Sequence, residues 1–182
     1  MTDTLYQAPV TVLGIGNVIL RDEGFGVRVV EYLAASYDFP ETVQLVDGGT
    51  LGIELTHYVT GSEKLLVIDS IDGGEAPGSL FFLRNDEVEA HFQNKISAHE
   101  VGIQDVLSLL AITGKKIPEV VVIGAQPFDL TAGVGLSENM GALIEPIARR
   151  ALQVLAGWGI SAEPKTQGAS LDFSVVAEAQ AK

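Results

Sequence analysis

Four short apolar runs, almost without alternation, restrict the fold more than any other feature of this sequence. They are Val10 to Gly14 just after Pro9, Thr42 to Val46, KLLVI from Lys64 to Ile68, and VVVIG from Val120 to Gly124. A strand with one face in water alternates apolar and polar residues. Runs that do not alternate predict strands covered on both faces, as in a parallel sheet. SLFFL, Ser79 to Leu83, follows a turn containing Gly and Pro and reads as an edge strand, for which an antiparallel direction is admissible.

Helical periodicity fills the intervals. Val29, Val30, Leu33, Ala34 and Tyr37 form one stripe; Ile103, Val106, Leu107 and Leu110 form a second; Met140, Leu143, Ile144, Ile147, Ala148, Ala151, Leu152 and Leu155 form the longest. Pro146 should kink that last helix or mark its true first turn, and Gly157 should end it. Thr50 is placed to cap a helix over 51–58, and Ser97 with Glu100 makes a capping box for the helix behind it. Strand, helix, strand in this order predicts right-handed crossovers and an α/β three-layer sandwich: a mostly parallel twisted sheet of about five strands with helices on both faces. A chain of 182 residues, 47% hydrophobic, has material for one sizeable core. We expect a single α/β domain over 1–160 and a loosely ordered tail over 161–182, anchored only by LDFSVV, Leu171 to Val176.

Charge narrows the function. A formal net charge of -13 opposes a nucleic-acid backbone, and no Lys/Arg cluster relieves it. With no cysteine, thiol catalysis, thiolate metal sites and disulfides are all excluded, and a reducing compartment fits best. The N-terminal stretch MTDTLYQAPV has neither a basic nor an apolar signal region, and no apolar stretch approaches the ~20 residues of a membrane span. A soluble, cytoplasmic protein is expected.

In an open α/β sheet the ligand site lies outside the carboxyl ends of the strands. There the first strand is followed by Gly14, Gly16, Asn17, Asp22 and Glu23, the second by Asp47-Gly48-Gly49-Thr50, the third by Asp69-Ser70-Ile71-Asp72, and the last by Ala125-Gln126-Pro127. Lys95-Ile96-Ser97-Ala98-His99 leads into a helix. The first loop begins like a dinucleotide fingerprint, but Ile19 stands where the third glycine belongs, and Asp22 and Glu23 would oppose a pyrophosphate. Neither a P-loop nor a nucleophile elbow is present. A cation accounts better for the same residues. Glu23, Asp69 and His99 offer two carboxylates and one imidazole, a set suited to Zn, Ni, Mn or Fe, with coordination positions left open.

Plainer roles exist for each. Asp22 and Glu23 could complement a helix dipole, Asp22 more readily as a mere cap, and Asp47 and Asp69 could cap turns. His57 reads as helix surface or half-buried and His91 as solvated, which leaves His99 with the best claim among the three histidines.

The blocks GIGNVILRDEGFGVRVVE, VDGGTLGIEL, LLVIDSID, APGSLFFLRNDEV, NKISAHEVGIQDVL and VVVIGAQP, in this order, resemble the [NiFe]-hydrogenase maturation endopeptidases from about Val10 to Gly159. That resemblance implies a protease that removes the C-terminal extension from the precursor of the hydrogenase large subunit after nickel insertion. It implies Glu23, Asp69 and His99 as metal ligands and as the residues that act through the metal. The nickel would be supplied by the substrate, so no tightly bound resident metal is expected. Either the metal polarises the scissile carbonyl or, in an aspartic-type route, a carboxylate activates water. Asp47, Gly48, Gly49 and Thr50 would form a lip for the extended substrate peptide, two glycines allowing close backbone approach, or else only a tight strand-to-helix turn. A nucleotide-binding oxidoreductase and a non-catalytic metal-binding hydrogenase chaperone remain as alternatives.

Overall fold

The computed structural model describes residues 8–92 and 98–166, without the side chains of 89, 91, 92 and 98–102. Five strands form the main sheet: β1 (Val10–Ile15), β3 (Val43–Gly49), β4 (Lys64–Ser70), β5 (Leu80–Arg84) and β6 (Glu119–Ala125). Two short strands, β2 (Tyr37–Asp38) and β7 (Glu163–Pro164), pair separately and antiparallel. The order across the main sheet is β3-β1-β4-β6-β5. All neighbours are parallel except β5, which pairs antiparallel with β6 at the edge, as SLFFL suggested.

The unalternating runs have the expected cause. Along β1 and β4, successive side chains go to opposite layers. Val12, Leu66 and Ile68 join one apolar cluster with α1 (Phe25–Ser36) and α6 (Ile144–Gly157). Leu13, Ile15, Leu65 and Val67 join the other, with Leu55 and Val59 around α2 (Thr56–Val59), and with Ile103, Val106 and Leu110 of α4 (Ala98–Ile112). Both layers are therefore helical and the sheet is covered on both faces. Among the described residues no helix is long and apolar enough to cross a membrane.

Several local expectations shift. Thr50 caps no helix: it is exposed, and a 3-10 turn over Ile53–Leu55 leads into α2, which is a single turn long. The chain leaving β3 first closes a turn, Leu51 N donating to the Gly48 carbonyl at 2.9 Å, and this delays the helix. In α1 the buried stripe begins earlier than read, at Phe25, Gly26 and Val27, whereas Ala34 is exposed and Tyr37 has already entered β2. Pro146 is the third residue of α6, in its first turn, and a separate short helix α5 (Glu138–Gly141) carries Met140. The helix ends at Gly157. Ser97 and the anchor 171–176 lie outside the described residues, as does the side chain of Glu100.

Candidate active site

The chain runs from β1 outward to β3 and then returns past β1 to β4, so the connections diverge between β1 and β4. That is the switch point at which an open α/β sheet leaves a crevice at its carboxyl edge. Asp69 is the next-to-last residue of β4, 0% exposed, in register with Gly124 of β6. Its Oδ1 accepts from Ser70 N at 2.7 Å. Alternation along β4 puts Asp69 in the layer of Leu65 and Val67. Glu23, half-buried, belongs to the 3-10 turn Arg21–Gly24, which lies against β4 and opens directly into α1. His99 is the second residue of α4, one helical turn before Ile103, whose side chain packs in the same layer as Leu65.

The glycines that begin like a phosphate loop serve the protein's own backbone. Gly16 has φ +133, and a Cβ on it would overlap the Glu23 carbonyl. A Cβ on Gly26 would overlap the carbonyl oxygens of Ile68 and Ile15. The start of α1 thus rests directly on the ends of β1 and β4. The position a pyrophosphate would need is filled by the turn that carries Glu23.

Asp22 is a clamp rather than a helix cap. Fully buried, it accepts from Phe128 N at 3.0 Å, Asp129 N at 2.9 Å and Ser137 Oγ at 2.9 Å through Oδ2, and from Ser137 N at 2.7 Å through Oδ1. Gln126 holds the next rim loop in the same manner: its Oε1 accepts from Gly73 N and Glu75 N at 2.8 and 3.2 Å, and its Nε2 donates to Asp72 Oδ1 at 2.8 Å. The position of both residues on the rim is visible in the sequence, but their roles are not, because the partners lie 51 to 115 residues away. Asp129 has its carboxyl held below the ordinary carboxylate value, first by the Thr131 hydroxyl, then by Thr131 N, with Arg21 adding charge.

At the neighbouring strand end, Asp47 is exposed and its Oδ1 accepts from Gly49 N at 3.0 Å, a local turn. Gly48 is buried against Leu13 and Leu55, Gly49 O accepts from Gly16 N at 2.9 Å, and Thr50 is exposed. His57 is exposed on α2. The side chains of His91 and His99 lie outside the described residues. Among the described residues no three His, Asp or Glu side chains converge as a metal cluster. The turn of Glu23 lies against the strand that carries Asp69, and two carboxylates with an imidazole are by donor type suited to a first-row divalent ion.

Residues 27–154 match the family described as hydrogenase maturation protease. The chain belongs to the hydrogenase maturation protease family. It is 40% identical over 157 residues to the hydrogenase 2 maturation protease of Escherichia coli (strain K12), covering 86% of this chain and 96% of that protein. It is 46% identical over 155 residues to the hydrogenase expression/formation protein HoxM of Azotobacter vinelandii, covering 84% and 75%. Among solved structures, the hydrogenase maturating endopeptidase HybD from E. coli superposes with a TM-score of 0.83 at 40% identity, over 86% of this chain and 97% of that one. The [NiFe] hydrogenase maturation protease HybD from Thermococcus kodakarensis gives 0.67 at 26% identity, over 80% and 97%. A hydrogenase maturation protease is an endopeptidase, a hydrolase, and this one carries the fold of its relatives.

Proposed function

We propose that this protease removes the C-terminal extension from the nickel-loaded precursor of the [NiFe]-hydrogenase large subunit, in the cytoplasm, and that Glu23, Asp69 and His99 grip the precursor's nickel. The observation that carries the reading is the arrangement at the switch point. The turn bearing Glu23 lies against β4, the strand that ends with Asp69, and Gly26 seats α1 on both strand ends. The relatives' names supply the reaction, and the donor types supply the metal preference. A chain without cysteine asks nothing of an oxidising compartment.

In this reading the two carboxylates and the imidazole occupy open positions on the nickel and so orient the scissile peptide beside it. The nickel supplies Lewis acidity toward the scissile carbonyl. A carboxylate of the pair takes the proton of the attacking water, the aspartic-type contribution. The Asp47 to Thr50 turn, with Gly48 buried and Gly49 at φ +45, forms a low lip past which an extended peptide can run.

The test is incubation of purified protein with nickel-loaded and nickel-free precursor, reading the released C-terminal peptide by mass spectrometry. The isolated protein should purify largely metal-free, cut the loaded precursor without added metal and leave the nickel-free one intact. Glu23→Gln, Asp69→Asn and His99→Ala should each abolish release while keeping the fold. Full activity in any two of these variants would remove the proposed ligand set. Cleavage of nickel-free precursor by zinc-loaded enzyme, stopped by chelation and restored by zinc, would overturn the role of the substrate's nickel.

A further inference from the structure

The polypeptide from Phe128 to Ser137 is tied to the Glu23 turn at more points than loop closure requires. Besides the four bonds into the Asp22 carboxylate, Asp22 N donates to Asp129 O and Arg21 N to Gly133 O, each at 3.1 Å, and Gly133 N donates to Ile19 O at 2.9 Å. Arg21 Nε lies 3.3 Å from Asp129 Oδ2. Arg21 itself is held at φ +48, a left-handed conformation that a non-glycine residue keeps only where its surroundings over-determine it.

What this clamp presents is apolar. Phe128, Leu130 and Val134 are 39%, 43% and 61% exposed, and Ile19, bonded to the same segment, is 60% exposed. A buried carboxylate is costly unless every lone pair is used. Here that cost supports a segment in which Leu136 packs on the core while Phe128, Leu130 and Val134 are left exposed. The segment is continuous with the turn of Glu23 through the Leu20–Gly133 bridge.

We propose that Asp22 is a positioning residue: it holds 128–137 in the shape of an apolar wall beside Glu23, against which the precursor's polypeptide seats before cleavage. The inference rests on the precursor being the substrate. Asp22 touches no reacting atom. Three backbone bonds and the Arg21–Asp129 ion pair still hold the Glu23 turn when its carboxylate is removed. Its loss should therefore act on substrate binding before chemistry.

The experiment combines amide hydrogen exchange with steady-state cleavage of nickel-loaded precursor by the full chain. In Asp22→Ala the amides of Phe128, Asp129 and Ser137 should exchange about tenfold faster or more, with β1 and β4 unchanged, as expected when bonds to a charged acceptor are lost. KM should rise by about tenfold or more while kcat falls by less than about threefold, the pattern of lost uniform binding. Ser137→Ala, which removes the bond from Oγ to Asp22 and the cap on Met140 N but leaves the carboxylate, should shift KM the same way and less. A fall in kcat at constant KM, the mark of a lost folded fraction, would overturn the proposal, as would unchanged exchange at the three amides. If Asp22→Ala does not fold, Ser137→Ala decides alone, and an unchanged KM in it is a refutation. Wild-type protein that fails to release the peptide at all would instead refute the proposed substrate, while the exchange result would still report whether Asp22 pins the wall.

Discussion

The two faces of the sheet are built differently, and the proposed site draws on both. On one face α1 and α6 are full-length helices in contact with each other and with the strands, and α1 comes close enough for backbone to meet backbone at Gly26. On the other face α4 stands with the single turn of α2 and the short helix α3 (Asp86–Phe92), and a groove of about 550 Å³ remains, lined by residues including Asn85, Val88, Leu107 and Ile117. The turn that carries Glu23 opens into α1 on the closely packed face. Asp69 and the helix that begins with His99 belong to the other. On the first face the turn of Glu23 is set against the strand ends by backbone contact, and on the second the described chain offers the buried Asp69.

Substitutions that load one face and not the other should expose this difference. The largest effect is expected from Gly26→Ala. Its Cβ would meet two backbone carbonyls that cannot turn aside, so the loss should exceed the ordinary cost of overpacking and reach about 4 kcal/mol in denaturant unfolding. Gly141→Ala, with nothing near the added methyl, should be close to neutral. A neutral Gly26→Ala would mean that α1 is not seated on the strand ends.

The next pair compares the layers directly. Leu33→Ala deletes a fully buried side chain between α1 and the sheet and should cost about 3 kcal/mol. Leu107→Ala, half-buried beside the groove, leaves no closed cavity and should cost about 1 kcal/mol. Equal losses in chemical denaturation would erase the contrast between the faces.

Smaller still is His57→Ala on exposed α2, which should leave processing at the wild-type rate and stability within about 0.5 kcal/mol. A large drop in peptide release would show that the wrong histidine had been assigned to the site. The smallest effect concerns acid. Asp129 has its carboxyl depressed in the folded protein, so its contribution is present above the ordinary carboxylate value and is lost as pH falls through the folded one. The protection of amides in 128–137, taken as exchange relative to the intrinsic rate at each pH, should therefore fall on acidification into that low range, and Thr131→Ala, which removes the hydroxyl chiefly responsible, should move that fall to higher pH. No change of midpoint in that variant would assign the depression to the Thr131 backbone amide and Arg21 instead.

What the chain alone disclosed was periodic or local. The parallel sheet followed from runs that do not alternate, because strands buried on both faces need apolar residues at every position. The edge position of SLFFL and the end of α6 at Gly157 followed from local preferences, whereas Pro146 allowed either a kink or a first turn and the fold took the second. The positions of Glu23 and Asp69 near strand ends were legible because strand ends in such a sheet mark the rim. Tertiary structure decided what depends on distant partners. It made Asp22 a clamp on residues 106 to 115 positions away, gave Gln126 a loop 51 to 54 positions back, and turned an apparent phosphate loop into a seat for α1. It also cut the helix expected after Thr50 to one turn, since hydrogen bonds leaving β3 took that backbone first. Propensity and spacing act over a few residues, whereas a buried carboxylate takes its role from whichever donors the folded chain brings to it.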